Sequence, residues 1–182
     1  AIEKYKRSIE LYPDHPDPYY NIANFYFKNG EYDMAIDGYK KAIKLDPDYS
    51  SAYNNLGNAY FRKGMHDKAI AEYKRVIELS PYQVAAYNNL GLVYFDKGLY
   101  DKAEEEFKKA LKIDPLFVDA YINLGEVYFK KGLYGQALLN YMKALDIEPD
   151  SERAHQFLGN TFCKIGMHNK AIQEYKKVLE LN

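Results

Sequence analysis

Four asparagines stand at one repeated position of the chain, each 34 residues from the next. They are Asn21, Asn55, Asn89 and Asn123. A carboxamide carries one acceptor oxygen and two N–H donors, so it can pair with the N–H and C=O of a peptide backbone whatever its side chains. Packed helices lie about 8–10 Å apart and an extended peptide advances about 3.3 Å per residue. Stacked helices would therefore present one asparagine to about every third residue of an extended ligand.

The asparagine ladder, as we call these four residues, has polar neighbours on the same helical face. Two positions along a helix differ by roughly 200°, so Asn89 points away from a core that contains Gly91. The candidate peptide contacts are the ladder together with Asn24, Asn54, Asn58, Asn88 and Glu126. The alternative is that the ladder only helps neighbouring units to pack, and the residues themselves leave both interpretations open.

The same step of 34 residues runs through the rest of the chain. Proline follows it at Pro13, Pro47, Pro81, Pro115 and Pro149. Glycine follows it at Gly30, Gly64, Gly98, Gly132 and Gly166, and again at Gly57, Gly91, Gly125 and Gly159. Such a fixed period indicates a repeat architecture, in which one structural unit recurs along the chain.

Each unit reads as two amphipathic helices. In residues 50–83, apolar and small residues recur at helical spacing from Tyr53 to Tyr60. Gly64 then interrupts the pattern, as a residue just past a helix end does. A second stripe runs from His66 to Ile77, before Pro81 ends the unit because proline does not continue a helix interior.

This pattern resembles the tetratricopeptide repeat, in which an aromatic, Leu-Gly, Tyr, Ala, an aromatic and Pro stand at set offsets in 34 residues. The resemblance implies an all-α fold, a right-handed superhelical solenoid of antiparallel helix pairs whose first helices line a concave groove. The ladder is similar to the one that lines the repeat superhelix of O-GlcNAc transferase. We expect one solenoid over residues 1–182, with 1–15 as the second helix of a partial repeat. Its further repeats would be 16–49, 50–83, 84–117, 118–151 and the nearly complete 152–182.

Composition argues against several classes of partner. The net charge of −1 comes from 25 basic and 26 acidic residues, without the basic excess typical of nucleic-acid binders. No run approaches the roughly 20 apolar residues of a membrane span. The one cysteine, Cys163, rules out a disulfide framework within the chain and fits a reducing, cytoplasmic location.

No residue pattern indicates catalysis, so we predict a protein that is not an enzyme. No two of the four histidines lie three or four residues apart, and His66 and His168 share a position that is tyrosine in other units. There is no phosphate-binding loop and no HExxH zinc motif. We therefore expect no catalytic residue, no metal site and no cofactor.

The sequence thus predicts a protein–protein interaction scaffold that binds a peptide or protein segment in its concave groove. Two alternatives stay open. The chain could be the substrate-docking or targeting arm of a larger, glycosyltransferase-like enzyme. It could also be a self-assembling structural scaffold, because solenoids need capping elements and the two terminal helices lack them, so that the uncapped ends would form a homo-oligomer.

Overall fold

The structure is a computed structural model that describes residues 2–181. This part of the chain contains eleven α-helices and no strand, which confirms the all-α prediction. They are α1 (Ile2–Leu11), α2 (Pro16–Lys28), α3 (Tyr32–Leu45), α4 (Ser50–Arg62), α5 (His66–Leu79), α6 (Val84–Asp96), α7 (Tyr100–Ile113), α8 (Val118–Lys130), α9 (Tyr134–Ile147), α10 (Glu152–Lys164) and α11 (His168–Leu181). The even-numbered helices are the first helices of the repeats, and the odd-numbered helices from α3 onward are the second helices.

Two compact units make up the chain, Ala1–Val93 and Tyr94–Asn182, and their boundary falls within α6. In the first unit α2 packs against α3, α4 packs against α5, and α3 also contacts α4. In the second unit α8 packs against α9, α10 packs against α11, and α9 contacts α10. Each unit is therefore built from helix hairpins that stack in chain order.

A glycine in the left-handed region ends the first helix of each repeat. Gly64 has φ +70°, its N–H donates to the Phe61 carbonyl at 2.9 Å, and the Met65 N–H donates to the Tyr60 carbonyl at 2.9 Å. These two bonds form a Schellman motif, which satisfies carbonyls that the helix end would otherwise leave unpaired. Positive φ recurs at Gly30, Gly98, Gly132 and Gly166. The periodic glycines of the sequence therefore set the turn inside every helix pair.

The core of each hairpin places a large ring against a small residue. Tyr73 of α5 is 1% exposed, and a Cβ added at Gly57 of α4 would lie 2.7 Å from its ring. Tyr141 of α9 is likewise 1% exposed and stands even closer to Gly125 of α8, at 2.4 Å. The Leu-Gly pair of the repeat is thus explained by packing, since the ring occupies the space that a side chain would need.

The repeat 16–49 departs from this pattern in two residues that compensate each other. Ala23 stands where Gly57 stands in the next repeat, and the facing residue of α3 is Gly38 instead of the Glu72 of α5. A Cβ added at Gly38 would lie 2.8 Å from the Ala23 Cβ and 3.2 Å from the Tyr19 carbonyl oxygen. The glycine has therefore moved to the opposite helix, so that α2 and α3 still approach closely.

Ion pairs join neighbouring repeats on the side of the second helices. Lys131 Nζ lies 2.8 Å from the carboxylates of both Asp101 and Glu104 in the preceding repeat. Burial alone would raise the pKa of Glu104, but hydrogen bonds from its lysine and tyrosine neighbours lower it to about 2. Lys63 and Asp33 form the equivalent pair in the first unit. Such exposed pairs contribute only about 0–1 kcal/mol each, so they adjust the repeat contacts rather than create them.

Candidate functional site

The asparagine ladder occupies the same face of successive first helices. Asn21 lies on α2, Asn55 on α4 and Asn89 on α6, and all three are half-buried. Asn123 of α8 is only 3% exposed. The ladder is thus accessible to different degrees, and accessibility depends on what the next repeat places over it.

In the first unit, the ladder amides are bonded to the preceding first helix. Asn55 Nδ2 donates to the Tyr20 hydroxyl at 3.0 Å and to Asn24 Oδ1 at 2.9 Å. Asn89 Nδ2 donates to Asn54 Oδ1 at 3.2 Å and to Asn58 Oδ1 at 3.3 Å. A carboxamide has two N–H donors, so both are used within the protein. This geometry favours the packing interpretation for the donor side of the ladder.

Tyrosine hydroxyls from the second helices complete the network. Tyr39 donates to Asn24 Oδ1 at 2.7 Å, and Tyr73 donates to Asn58 Oδ1 at 2.7 Å. Each of these asparagine oxygens therefore accepts two hydrogen bonds, one from its own hairpin and one from the next repeat. Outside the first unit, Tyr175 donates to Asn160 Oδ1 at 2.8 Å. The tyrosines thus connect the buried core to the polar face of the first helices.

Sequence reasoning missed this role of the tyrosines, although the chain carries a signal for it. The two positions read Asn24 with Tyr39 and Asn58 with Tyr73, but they read Leu92 and Phe107 in residues 84–117. The acceptor and the hydroxyl are lost together in that repeat. A comparison of the repeats position by position would have paired them.

Replacing Asn55 with alanine should destabilise the protein, whereas the same change at Asn21 should not. Asn55→Ala removes two hydrogen bonds between repeats, at about 0.5–1.5 kcal/mol each, so we expect a loss of about 1–3 kcal/mol. Among the described residues nothing bonds to the Asn21 side chain, and its replacement should change stability by less than about 0.5 kcal/mol. Urea unfolding of both variants measures the difference. Equal losses would show that the ladder bonds do not stabilise the stack.

The remaining predicted contacts fall into two groups. Asn54 is half-buried and donates to Asn55 Oδ1 at 3.4 Å, so it belongs to the same network. Asn88 is 6% exposed, and with Asn123 it is too deeply buried to serve in the proposal below. Asn21 borders an open depression of about 550 Å³ lined also by Lys4, Ser8, Tyr12, His15, Asp17 and Pro18.

The second unit departs from the ladder pattern. The last repeat has Phe157 at the ladder position, and its ring stacks on Tyr141 at 5.7 Å with an interplanar angle of 13°. Arg153 Nη2 donates to Asn123 Oδ1 at 3.2 Å. Glu126 stands where α2 and α4 have Asn24 and Asn58. Burial raises the pKa of its carboxyl, and the nearby charges of Arg153 and Lys130 oppose that shift.

The aromatic row beside the ladder packs inside the hairpins. Each of these phenylalanines is half-buried and contacts the first ring of the second helix, at 5.4–5.9 Å between centroids: Phe27 with Tyr32, Phe61 with His66, Phe95 with Tyr100 and Phe129 with Tyr134. His66 therefore takes the place of a tyrosine ring, as the sequence indicates.

Metal and membrane sites were also sought in the described residues. Across residues 2–181, no group of three or more His, Cys, Asp or Glu side chains is arranged to hold a metal ion. No helix in the described part of the chain is long and apolar enough to cross a bilayer.

Family models match these helix pairs in register. A model described as TPR repeat matches residues 23–64, 57–98 and 91–132, and further models described as tetratricopeptide repeat match 4–37, 118–151 and 152–182. The chain belongs to the tetratricopeptide repeat family. No curated protein sequence matches it.

Solved tetratricopeptide structures resemble the chain along most of its length. A crystal structure of MamA protein is 30% identical, with a TM-score of 0.76 and coverage of 91% of each chain. YrrB, described as a TPR protein with an unusual peptide-binding site, is 22% identical, with a TM-score of 0.73 and coverage of 100% of this chain and 94% of that one. PilF of Pseudomonas aeruginosa is 20% identical, with a TM-score of 0.83 and coverage of 92% and 76%. The last two likenesses concern the fold alone.

Proposed function

We propose that this tetratricopeptide protein is an interaction scaffold that binds an extended peptide segment along the polar face of its first helices. The observation that carries the proposal is the hydrogen-bond network of Tyr20, Asn24 and Asn55. The network holds these half-buried side chains in one arrangement before any ligand arrives. Preorganised groups lose less conformational freedom on binding, so such a face suits recognition. The peptide-binding site named for YrrB agrees with this function.

The network also predicts which groups the ligand must bring. Both N–H donors of Asn55 are used inside the protein, but Asn55 Oδ1 receives only the 3.4 Å contact from Asn54 and keeps acceptor capacity. The Tyr20 hydroxyl accepts from Asn55, so its own O–H is able to donate. We therefore expect a ligand that offers backbone N–H groups to the asparagine oxygens.

A tryptophan placed on this face should abolish peptide binding. Ser51 is exposed on α4 and lies on one stripe with Asn55 and Asn58, whereas Ala71 is exposed on α5 of the same repeat. Peptides would be selected from a random library on the wild type, and their affinity measured by fluorescence polarisation. We expect Ser51→Trp to weaken binding at least about tenfold, which corresponds to about 1.4 kcal/mol, and Ala71→Trp to leave it unchanged.

The matched pair makes the outcome decisive because both positions are exposed and in the same hairpin. Equal affinity of wild type and Ser51→Trp would reject binding at the first helices. A loss confined to Ala71→Trp would move the site to the second helices.

A second function, self-assembly, is favoured by an apolar patch on α9. Leu139 and Met142 are 61% and 51% exposed, at positions that read Glu105 and Lys108 in the preceding repeat. Exchanging both for those charged residues, as Leu139→Glu/Met142→Lys, should abolish any concentration-dependent association seen by analytical ultracentrifugation. A wild type that stays monomeric at all concentrations would reject this function.

A further inference from the structure

The joint between α8 and α10 differs in chemistry from the joint between α2 and α4. In the first unit the two facing positions are Asn24 and Asn55, which share a hydrogen bond of 2.9 Å. In the second unit the same positions are Glu126 and Phe157, which form no such bond. A cavity of about 120 Å³ lies here, lined by Glu126, Phe129, Lys130, Tyr141, Phe157 and Asn160. We call it the Glu126 pocket.

The carboxylate of this pocket lacks a close donor. Glu126 is 26% exposed, and its Oε2 lies 3.8 Å from Nη2 of Arg153, beyond hydrogen-bond distance. Arg153 is instead held by Asp119 at 2.8 Å and by Asn123 at 3.2 Å. No described residue donates a hydrogen bond to Glu126. Burial raises the pKa of this carboxyl despite the charges of Arg153 and Lys130, so a half-buried acceptor remains open to a ligand.

The walls of the pocket are aromatic. Tyr141 and Phe157 are stacked, and Phe129 contributes a third ring. The face of an aromatic ring attracts a cation within about 6 Å of its centroid, and Arg153 already lies 6.0 Å from that of Phe157. The volume equals about four water molecules at ~30 Å³ each, which suits the end of one side chain rather than a cofactor.

We propose that the Glu126 pocket holds a basic side chain, lysine or arginine, of the bound peptide. The N–H groups of this side chain donate to the Glu126 carboxylate, its charge lies against the rings of Phe129, Tyr141 and Phe157, and its stem contacts their edges. This inference deepens the proposed function and rests on it. It assigns the ligand class of one position, a cation, that the neutral ladder of the first unit does not specify.

The surroundings of the pocket carry the complementary charge. An open depression of about 520 Å³ lies beside it on α8 and α10, and Arg153 is its one cation. Four carboxylates line the same depression: Asp119, Glu148, Asp150 and Glu152. Lys130 at the pocket itself opposes a cation, so the acidic excess lies on the Arg153 side. A peptide with further basic residues next to the inserted one would be attracted to this surface.

Nuclear magnetic resonance titration with small probes tests the pocket directly. The probes are Nα-acetyl-lysine methylamide, its arginine counterpart and its norleucine counterpart, which keeps the stem but has no charge. We expect shifts of the Phe129, Tyr141 and Phe157 ring signals with the basic probes, and affinity about tenfold lower for norleucine. Glu126→Gln should lose the preference for the basic probes to the same extent.

Two further variants serve as controls. Glu72 is a half-buried glutamate of the first unit whose pKa burial also raises, and Glu72→Gln should leave probe binding unchanged. Phe157→Asn restores the residue of the ladder and removes one wall, so it should weaken binding of all three probes. Because burial disfavours the charged form of Glu126, Glu126→Gln should melt no lower than wild type at neutral pH, which separates lost binding from lost folding.

The outcomes separate this inference from the function on which it rests. Equal affinity for the lysine and norleucine probes, or undiminished lysine binding by Glu126→Gln, would overturn the inference even if selected peptides bind the protein. Binding of the basic probes at these rings would support the pocket even if no peptide is displaced by Ser51→Trp. Ser51 lies in the first unit, so Ser51→Trp should not alter the probe shifts.

Discussion

Replacing Gly125 with alanine should destabilise the protein more than any other single methyl group added to a helical glycine of the second unit. The new Cβ would stand 2.4 Å from Cε1 and 2.8 Å from Cδ1 and Cζ of Tyr141. That ring cannot move aside freely, because it is 1% exposed and stacked on Phe157. Overpacking of a core costs about 1–3 kcal/mol, and the depth of this overlap places Gly125→Ala at about 2–3 kcal/mol.

Gly135→Ala, in the same repeat, is the matched control. Nothing lies within 4 Å of a Cβ at Gly135, so alanine there should leave stability unchanged or raise it by less than about 1 kcal/mol through helix propensity. Thermal unfolding followed by circular dichroism compares the two. We expect the melting temperature of Gly125→Ala to fall by about 4–12 °C. A decrease of similar size in both variants would mean that helix propensity, not the overlap with Tyr141, governs the effect.

The protein should also lose stability steeply above pH 10. Burial raises the pKa of Tyr39, Tyr73 and Tyr141 well above the ordinary value of a tyrosine. These hydroxyls stay neutral in the folded protein while the unfolded chain ionises near pH 10. Their contribution is therefore fully present below pH 10 and is lost as the pH rises beyond it. By linkage the three together cost about 3 kcal/mol between pH 10 and pH 11.

Tyr73→Phe tests the origin of this pH dependence. Its free energy of unfolding at pH 8 should fall by about 1 kcal/mol, because the hydroxyl no longer donates to Asn58. Between pH 10 and pH 11, however, the variant should lose about 1 kcal/mol less than wild type, the share of one tyrosine. Urea unfolding at each pH gives both quantities. Parallel curves for the two proteins above pH 10 would assign the alkaline loss to other groups.

Much of the fold follows from residues that act locally. Gly64 and its counterparts end the first helices because only glycine adopts the left-handed conformation at little cost, so their spacing alone divides the chain into helix pairs. Small residues such as Gly57 mark where helices approach closely. Even the departure at Ala23 is explained by one further glycine, Gly38, whose importance depends on contact across the hairpin and is therefore not visible from the period.

The candidate site was predictable in position but not in its bonds. The step from Asn21 to Asn123 placed the ladder on one face, and the sequence alone left open whether its amides contact a ligand or the neighbouring repeat. The structure shows Asn55 and Asn89 donating to the preceding first helix. A carboxamide offers the same groups to either partner, and which one it meets depends on how the hairpins stack.

The sequence by itself thus determined the family, the helix pairs and the turns, because those depend on period and backbone conformation within a few residues. Only the tertiary structure decided which polar atoms remain open to a ligand. Asn123 is buried, although it shares its period with the half-buried Asn55, and Glu126 lies in a pocket because Phe157 stands opposite it. Burial and hydrogen-bond partners depend on residues about 30 positions apart that meet only when the repeats stack.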